Sequence, residues 1–495
     1  MLLRRWQVRL TPARLPSPGK PHSFVADLPG GEWGDWLVQS GLCPGTPYLL
    51  SPDYVYDVEL NEFFQDVRMV TSSPNTQVGY ARDIAGFLTF LWSSRGKRSW
   101  RDAAEPDHLA YLYWRRSDPD GPRVAASTWN REVAAVNSLY RWAVQVRYLQ
   151  SSPIPQRSRR PAPVEAGWAS RRSQDEQRPA TYSHGARRHR IEWLTPVEYR
   201  RWRDVGVRGF TGDGLLRNSF RGRWSARNAV FCDLMVRTGL RLSEQAALSV
   251  VEIPKDRSGG YQRFWLPASI AKGGSARWVY VPSSVVSDLA TYSAVDRRAV
   301  IDDARTQYRR SNGVFVVEDP SRPVARWIGA AGLIRRVKVT EVNEAERRSL
   351  LVDGPHGLEP AQFWLGERGR PLSKALWSKV FSDANERCVT EGVELSAHPH
   401  LLRHTFAVVT LEQLQRGHIA SLSGLTSEQR GHYTRVFGDP LDWVRRRLGH
   451  RSVVTTQTYL HALAELEMHT RMELVPDEWD DPSSIPAEVL ADDES

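Results

Sequence analysis

Cysteine is scarce in this 495-residue chain: Cys43, Cys232 and Cys388 stand far apart. Three scattered thiols make neither a disulfide framework nor a metal knuckle, and they suit a reducing cytoplasm. Long apolar runs are missing too, which excludes a membrane-spanning helix. The opening residues, MLLRRWQVRLTPARLP, hold arginines but no apolar core of a secretory signal. No internal repeat is visible. What is present is positive charge, a net +10, although Asp477 to Ser495 contain eight acids and no base. The body is therefore more basic than the total. That favours a polyanionic partner, most simply nucleic acid, over a merely solubilising surface. With 41% hydrophobic and 25% charged residues the chain is globular, and too long for one core.

Periodicity divides it. Residues 1–59, rich in Pro, Gly and Trp, read as an irregular extension with one or two short elements. Residues 60–152 read as a small helical domain. Tyr80, Ile84, Phe87, Leu88 and Leu91 share one helical face, and Val133, Val136, Leu139, Tyr140 and Ala143 another. Ser127 or Thr128 is the expected N-cap of the second helix. Residues 153–190 form a linker with nine arginines against three acids. It is suited to following a phosphate backbone, or is simply a disordered hinge. From residue 191 the pattern is globular to about 475. It opens with Thr195 as N-cap and Pro196 at the first helical position, and RFWLPASIAKGGSARWVYVP reads as a β-hairpin turning at Lys272-Gly273-Gly274. The stretches 311–360 and 416–440 resist assignment. Residues 476–495 are an acidic tail. The expected fold is mainly α with a small antiparallel β component.

Four places gather polar residues inside apolar elements: RTGLRLSE with Arg241 and Glu244, the hairpin tip with Lys272, HPHLLRHTFA with His400 and Arg403, and LGHRSVVTTQTYLH with His450, Tyr459 and His461. His400 and His404 have the i, i+4 spacing of zinc ligands on a helix. However, Leu401 occupies the place of a metalloprotease glutamate, no carboxylate is near in sequence as a third ligand, and Arg403 would repel a cation. Singly, each residue reads more readily as a cap, an ion pair or a satisfied core group. Together, two arginines, a lysine, two histidines and a tyrosine suit a phosphodiester under attack. Arginine forks match phosphate oxygens, preorganised cations stabilise the developing charge, and a tyrosine hydroxyl can form a covalent intermediate. Only roughly one tyrosine in a thousand is ionised at neutral pH, so neighbouring cations and a basic histidine have work to do. A lysine on a hairpin tip can donate a proton to the leaving alkoxide.

TGLRLSE, the hairpin lysine in AKGGSARWVYVP, HLLRHTFA and LGHRSVVTTQTYLH, in this order over about 220 residues, resemble the tyrosine recombinases, the phage-type integrases. The resemblance implies that Tyr459 is the nucleophile, forming a 3′-phosphotyrosyl link, and that Arg241 and Arg403 clamp the scissile phosphate. It implies Lys272 as general acid, His400 as an acceptor of the tyrosine proton, His450 as a phosphate hydrogen-bond donor and Glu244 as support for Arg241. His461 has no assigned role. The implied fold is a SAM-like core-binding domain over 60–152 and a mixed α/β catalytic domain over 191–475, forming a C-shaped clamp on duplex DNA. The implied assembly is a homotetramer on paired sites, helped by accessory proteins, in the cytoplasm at the nucleoid. No metal or other cofactor is expected, and no membrane partner. LHALAELEMHTRMEL could dock on a neighbouring protomer. The segments 333–360 and 416–440 lengthen the chain beyond a minimal catalytic domain. A type IB-like topoisomerase and a catalytically silent DNA-binding regulator are the alternatives.

Overall fold

In the computed structural model, helix α1 (Pro74–Ser94) begins where the sequence provides the start signals. Ser73 Oγ accepts from Thr76 N–H, and Pro74 takes the first helical position. The structure describes residues 5–12, 33, 37, 39–158, 177–183, 191–217, 219–255, 259–310, 313–329, 333–423, 439–450, 452, 455–460 and 462. The acidic tail, His461, residues 463–475 and most of 416–440 lie outside them. The chain divides into two compact units, residues 1–189 and 190–495.

In the first unit α1 packs with α2 (Glu105–Arg116) and α3 (Ala126–Gln145). Phe87, Leu88, Leu91, Trp129, Val133, Val136, Leu139 and Tyr140 are buried together, as the helical spacing predicts. The start of α3 differs from expectation: Ala125 is the N-cap, and Ser127 and Thr128 lie in the first turn. The short elements expected in residues 1–59 include a pair of strands. Strands β1 (Gln7–Leu10) and β2 (Pro47–Leu50) pair antiparallel. Trp6 N–H donates to Thr89 Oγ1 at 3.1 Å, and Leu49 N–H donates to Asn61 Oδ1 at 2.7 Å. Within the arginine-rich stretch, β3 (Gln156–Ser158) and β4 (Gln177–Pro179) also pair, and Trp129 Nε1 donates to the Thr181 carbonyl at 2.8 Å. Part of that stretch is therefore folded, held by a buried indole whose N–H needs an acceptor.

In the second unit α4 (Pro196–Trp202) has the Thr195 cap and Pro196 start read from sequence, completed by Glu198 as a capping box. Helices α5 (Ser225–Thr238), α7 (Ser283–Tyr292), α8 (Lys374–Thr390) and α9 (Pro399–Ser423) enclose a core that includes Trp202, Phe231, Trp364, Trp377 and Leu402. Between α5 and α7 lie the short helix α6 (Leu242–Ala246) and the hairpin of β5 (Tyr261–Leu266) and β6 (Arg277–Pro282). The unassigned stretch near 311–360 is a second sheet, in the order β11-β10-β7-β8-β9. Its strands are β7 (Phe315–Val317), β8 (Val324–Ile328), β9 (Ile334–Lys338), β10 (Leu351–Gly354) and β11 (Gly357–Pro360). The β7–β10 pair is parallel, so the β component is mixed and not purely antiparallel. The long excursion through β8 and β9 is what permits a parallel pair, which a tight turn cannot make. Helix α10 (Pro440–Leu448) follows α9.

Candidate active site

Two helices of the second unit end in the same way, and a polar residue of interest follows each end. Helix α5 stops at Gly239, with φ 65°, and α10 stops at Gly449, also with φ 65°. Left-handed backbone suits glycine. Space demands it as well: a Cβ on Gly239 would come within 2.4 Å of the Phe406 ring. These turns redirect the chain so that Arg241 becomes the N-cap of α6 and His450 leaves α10. Arg403 and His404 come from α9, Lys272 from the β5–β6 connection, and Tyr459 from helical residues 455–460.

Glu244 organises the cationic side. It is fully buried. Its carboxylate accepts from Arg241 Nη1 at 2.8 Å, Arg277 Nη2 at 2.7 Å and the Lys272 backbone N–H at 3.3 Å. It also accepts from the Arg241 N–H, closing a capping box. Burial alone would raise this carboxyl; the Arg277 guanidinium and then Arg241 overcome it and bring it down to about 2. One ionised carboxylate thus fixes the first arginine and the backbone of the lysine turn together. The Lys272 side chain itself is exposed.

Arg403 is 3% exposed and ties the two glycine turns together, donating to the carbonyls of Gly239 and Leu448. Its Nη2 also lies 3.2 Å from His450 Nε2. Burial, then the like charge of Arg241, lowers its pKa to about 9. The other ring nitrogen of His450 meets Thr456 Oγ1 at 3.0 Å. The His450 ring lies nearly parallel to that of Tyr459, with centroids 6.3 Å apart. Tyr459 is 3% exposed, and its Oη lies 2.9 Å from His404 Nδ1. Burial lowers the pKa of His404 and of His450 to about 4, helped by His400 and Arg403 for the former and by Arg403 and Arg241 for the latter. Both rings are therefore neutral near pH 7 and able to accept a proton. Burial raises the Tyr459 hydroxyl, while Arg403 and Arg241 pull it down; burial prevails.

The structure thus brings Arg241, Glu244, Lys272, Arg403, His450 and Tyr459 into one connected neighbourhood. His400 stands exposed one turn before His404, the two ring centroids 6.3 Å apart. The desolvation of its ring and the charges of Arg403, Lys272 and Arg241 lower its pKa. It is His404, and not His400, that touches the tyrosine hydroxyl. From sequence alone His404 enters only through a metal spacing that is set aside, and neither Arg277 nor the fully buried Thr456 stands out. For Arg277 a signal exists. It is in phase with Val279 and Val281, both buried, so it occupies an inward position of β6. An arginine there needs a buried acid, and Glu244 is that acid.

Residues 60–146 match the phage integrase, N-terminal SAM-like domain. The chain is 23% identical over 388 residues to tyrosine recombinase XerC of Roseiflexus sp. (strain RS-1), covering 78% of this chain and 83% of that one. It is 24% identical over 392 residues to the XerC of Roseiflexus castenholzii, covering 79% and 83%. Among solved structures, the XerH site-specific recombinase in a post-cleavage complex with a palindromic difH substrate is similar at a TM-score of 0.44 and 14% identity, covering 86% of this chain and 92% of that one. A lambda integrase dimer on a COC′ core site gives a TM-score of 0.40 and 13% identity, covering 81% and 93%. The chain is thus similar in sequence to tyrosine recombinases, and residues 60–146 match a SAM-like domain of the phage-integrase kind.

Proposed function

We propose that this chain is a site-specific DNA recombinase that cuts and rejoins strands through a tyrosyl intermediate at Tyr459. The observation that carries the reading is the convergence of four separated sequence motifs around one buried hydroxyl. Arg403 is hydrogen-bonded to His450, Tyr459 lies against the His450 ring, and Glu244 joins Arg241 to the Lys272 turn.

In the reaction, Tyr459 Oη attacks the scissile phosphorus. A P–Oη bond forms as the bond from phosphorus to the 5′ oxygen breaks. The tyrosine proton passes to a neutral histidine; His404 is in contact with the hydroxyl, and His400, on the same helix one turn earlier, is the second candidate. Arg241 and Arg403 hold the nonbridging oxygens, where preorganised cations stabilise the charge that develops. His450 donates to one of those oxygens through Nε2–H, which requires the tautomer whose Nδ1 accepts from Thr456 Oγ1 and Arg403 turning from His450 to the phosphate. Lys272 protonates the departing 5′ oxygen, leaving a 5′-hydroxyl and a 3′-phosphotyrosyl ester. The ester conserves the energy of the phosphodiester bond, so a second 5′-hydroxyl can reverse the step without ATP.

The partner is double-stranded DNA, engaged as a homotetramer on paired sites with accessory recombination proteins, at the nucleoid in the cytoplasm. Residues 60–152 serve as a core-binding domain and 191–475 as the catalytic domain. No described helix is long and apolar enough to cross a membrane. The test is to incubate the protein with two plasmid-borne copies of the DNA boundaries that flank its own gene. Joined products support recombination. Relaxation of any supercoiled plasmid with no joined product would replace this reading with a topoisomerase.

A further inference from the structure

The sheet formed by residues 315–360 takes no part in the site described above. Its strand order leaves β9 at an edge. The pleat sorts its side chains into two sets. Phe315, Val317, Ala325, Trp327 and Val337 pack into a small core with Val339, Leu350 and Val352. The alternate residues of β8 and β9 are Val324, Arg326, Ile328, Ile334, Arg336 and Lys338, and these share the opposite face. The register sets Arg326 directly across from Arg336, and Val324 across from Lys338. Like charges directly opposite one another destabilise a sheet. Charged side chains protect an edge strand from pairing, but β8 is not at the edge. An opposed pair of arginines on two strands therefore asks for another cause.

The surrounding acids supply it only in part: Glu318 pairs with Arg326, but no described acid pairs with Arg336 or Lys338. Glu318 is engaged by Arg310 and by Arg326, Asp353 by Arg310, Glu359 by Arg297 and Glu344 by Lys374. Arg336 and Lys338 are exposed, and neither makes an ion pair with a described residue. The location also matters. Two residues beyond Lys338, the Thr340 carbonyl accepts from Ser269 Oγ at 2.8 Å. Ser269 belongs to the connection that carries Lys272. The end of the basic strand is thus pinned to the loop of the general acid.

We propose that the outer face of β8 and β9 is a second DNA-contact surface, taking phosphates of the duplex that flanks the cleavage point through Arg336 and Lys338, with Arg326 beside them. The inference rests on the recombinase reading. A duplex with its scissile phosphate at Lys272 would have its backbone led onto this face by the Ser269–Thr340 tie. The surface binds but takes no part in the chemistry.

The experiment compares wild type with Arg336→Ala/Lys338→Ala, using fluorescence anisotropy of a random-sequence 40-base-pair duplex (length chosen as roughly four turns) over a series of KCl concentrations. Each lost phosphate contact removes about 0.9 from the slope of log K against log salt. The double variant should bind more weakly at low salt, with a slope shallower by about 1.8. Its cleavage rate at saturating protein on a nicked substrate should be unchanged. Equal slopes and affinities in two equally stable proteins would overturn the proposal. So would a change in oligomeric state without DNA, which would make the face an interface between copies. If wild type itself neither binds the duplex nor forms a covalent adduct, the recombinase reading fails as well.

Discussion

His404 Nδ1 sits 2.9 Å from the hydroxyl of Tyr459, across 55 residues of sequence. The His404 pKa is lowered to about 4, so the ring is an unprotonated partner for a protonated phenol at neutral pH. Replacing it tests whether the contact is catalytic. A hydrogen bond of this kind is worth about 0.5–1.5 kcal/mol, so His404→Ala should slow single-turnover cleavage by roughly two- to tenfold. His400→Ala, measured beside it, shows which histidine takes the proton. An unchanged rate in His404→Ala with a large loss in His400→Ala would assign the proton to His400.

Glu244 predicts a stability effect. Removing one partner of a buried ion pair costs about 3–5 kcal/mol, because the other charge is left buried. Glu244→Ala strands Arg277, so urea denaturation should show a loss of this size. The pH dependence has a defined sign. The folded carboxyl, near 2, lies below its ordinary value of 4.5. Its contribution, on the order of 3 kcal/mol, is complete above pH 4.5 and is lost as pH falls towards 2. Glu244→Gln should flatten the stability curve in that window. A curve parallel to wild type would mean that Glu244 is not held ionised by the two arginines.

Arg241 and Arg403 should separate when both activity and stability are measured. Charge-assisted hydrogen bonds to phosphate are worth about 1.5–3 kcal/mol each, so alanine at either position should slow cleavage by roughly ten- to 150-fold. Arg403 also satisfies the carbonyls of Gly239 and Leu448 in the interior. Arg403→Ala should therefore lower the melting temperature as well, through buried acceptors left unpaired. Cleavage at the wild-type rate in either variant would remove that arginine from the phosphate clamp.

Much of this site is legible in the sequence, because most of the residues that the fold brings together lie in ordered motifs. Arg241 follows a glycine stop, Arg403 lies three residues from His400, and His450 follows the Gly449 stop. What cannot be read there is pairing across distance. No periodicity links His404 to Tyr459, and the i, i+4 spacing of His400 and His404 raises only a metal reading that their neighbours argue against. Arg277 is readable in principle from its phase in β6 but looks like one more surface charge. The sheet of residues 315–360 escapes because its strands are three to five residues long, and its parallel β7–β10 pair joins segments with two other strands between them. The β1–β2 pair is hidden for a similar reason, since Pro- and Gly-rich sequence gives no alternation to follow.

The central claim is that Tyr459 becomes covalently joined to DNA. The direct measurement uses a nicked suicide duplex carrying the boundary sequence of the chain's own element, followed by denaturing electrophoresis and peptide mass mapping of the trapped species. The account predicts a covalent adduct for wild type, mapped to the peptide containing Tyr459, and none for Tyr459→Phe. An adduct that persists in Tyr459→Phe, or that maps to another residue, would contradict it.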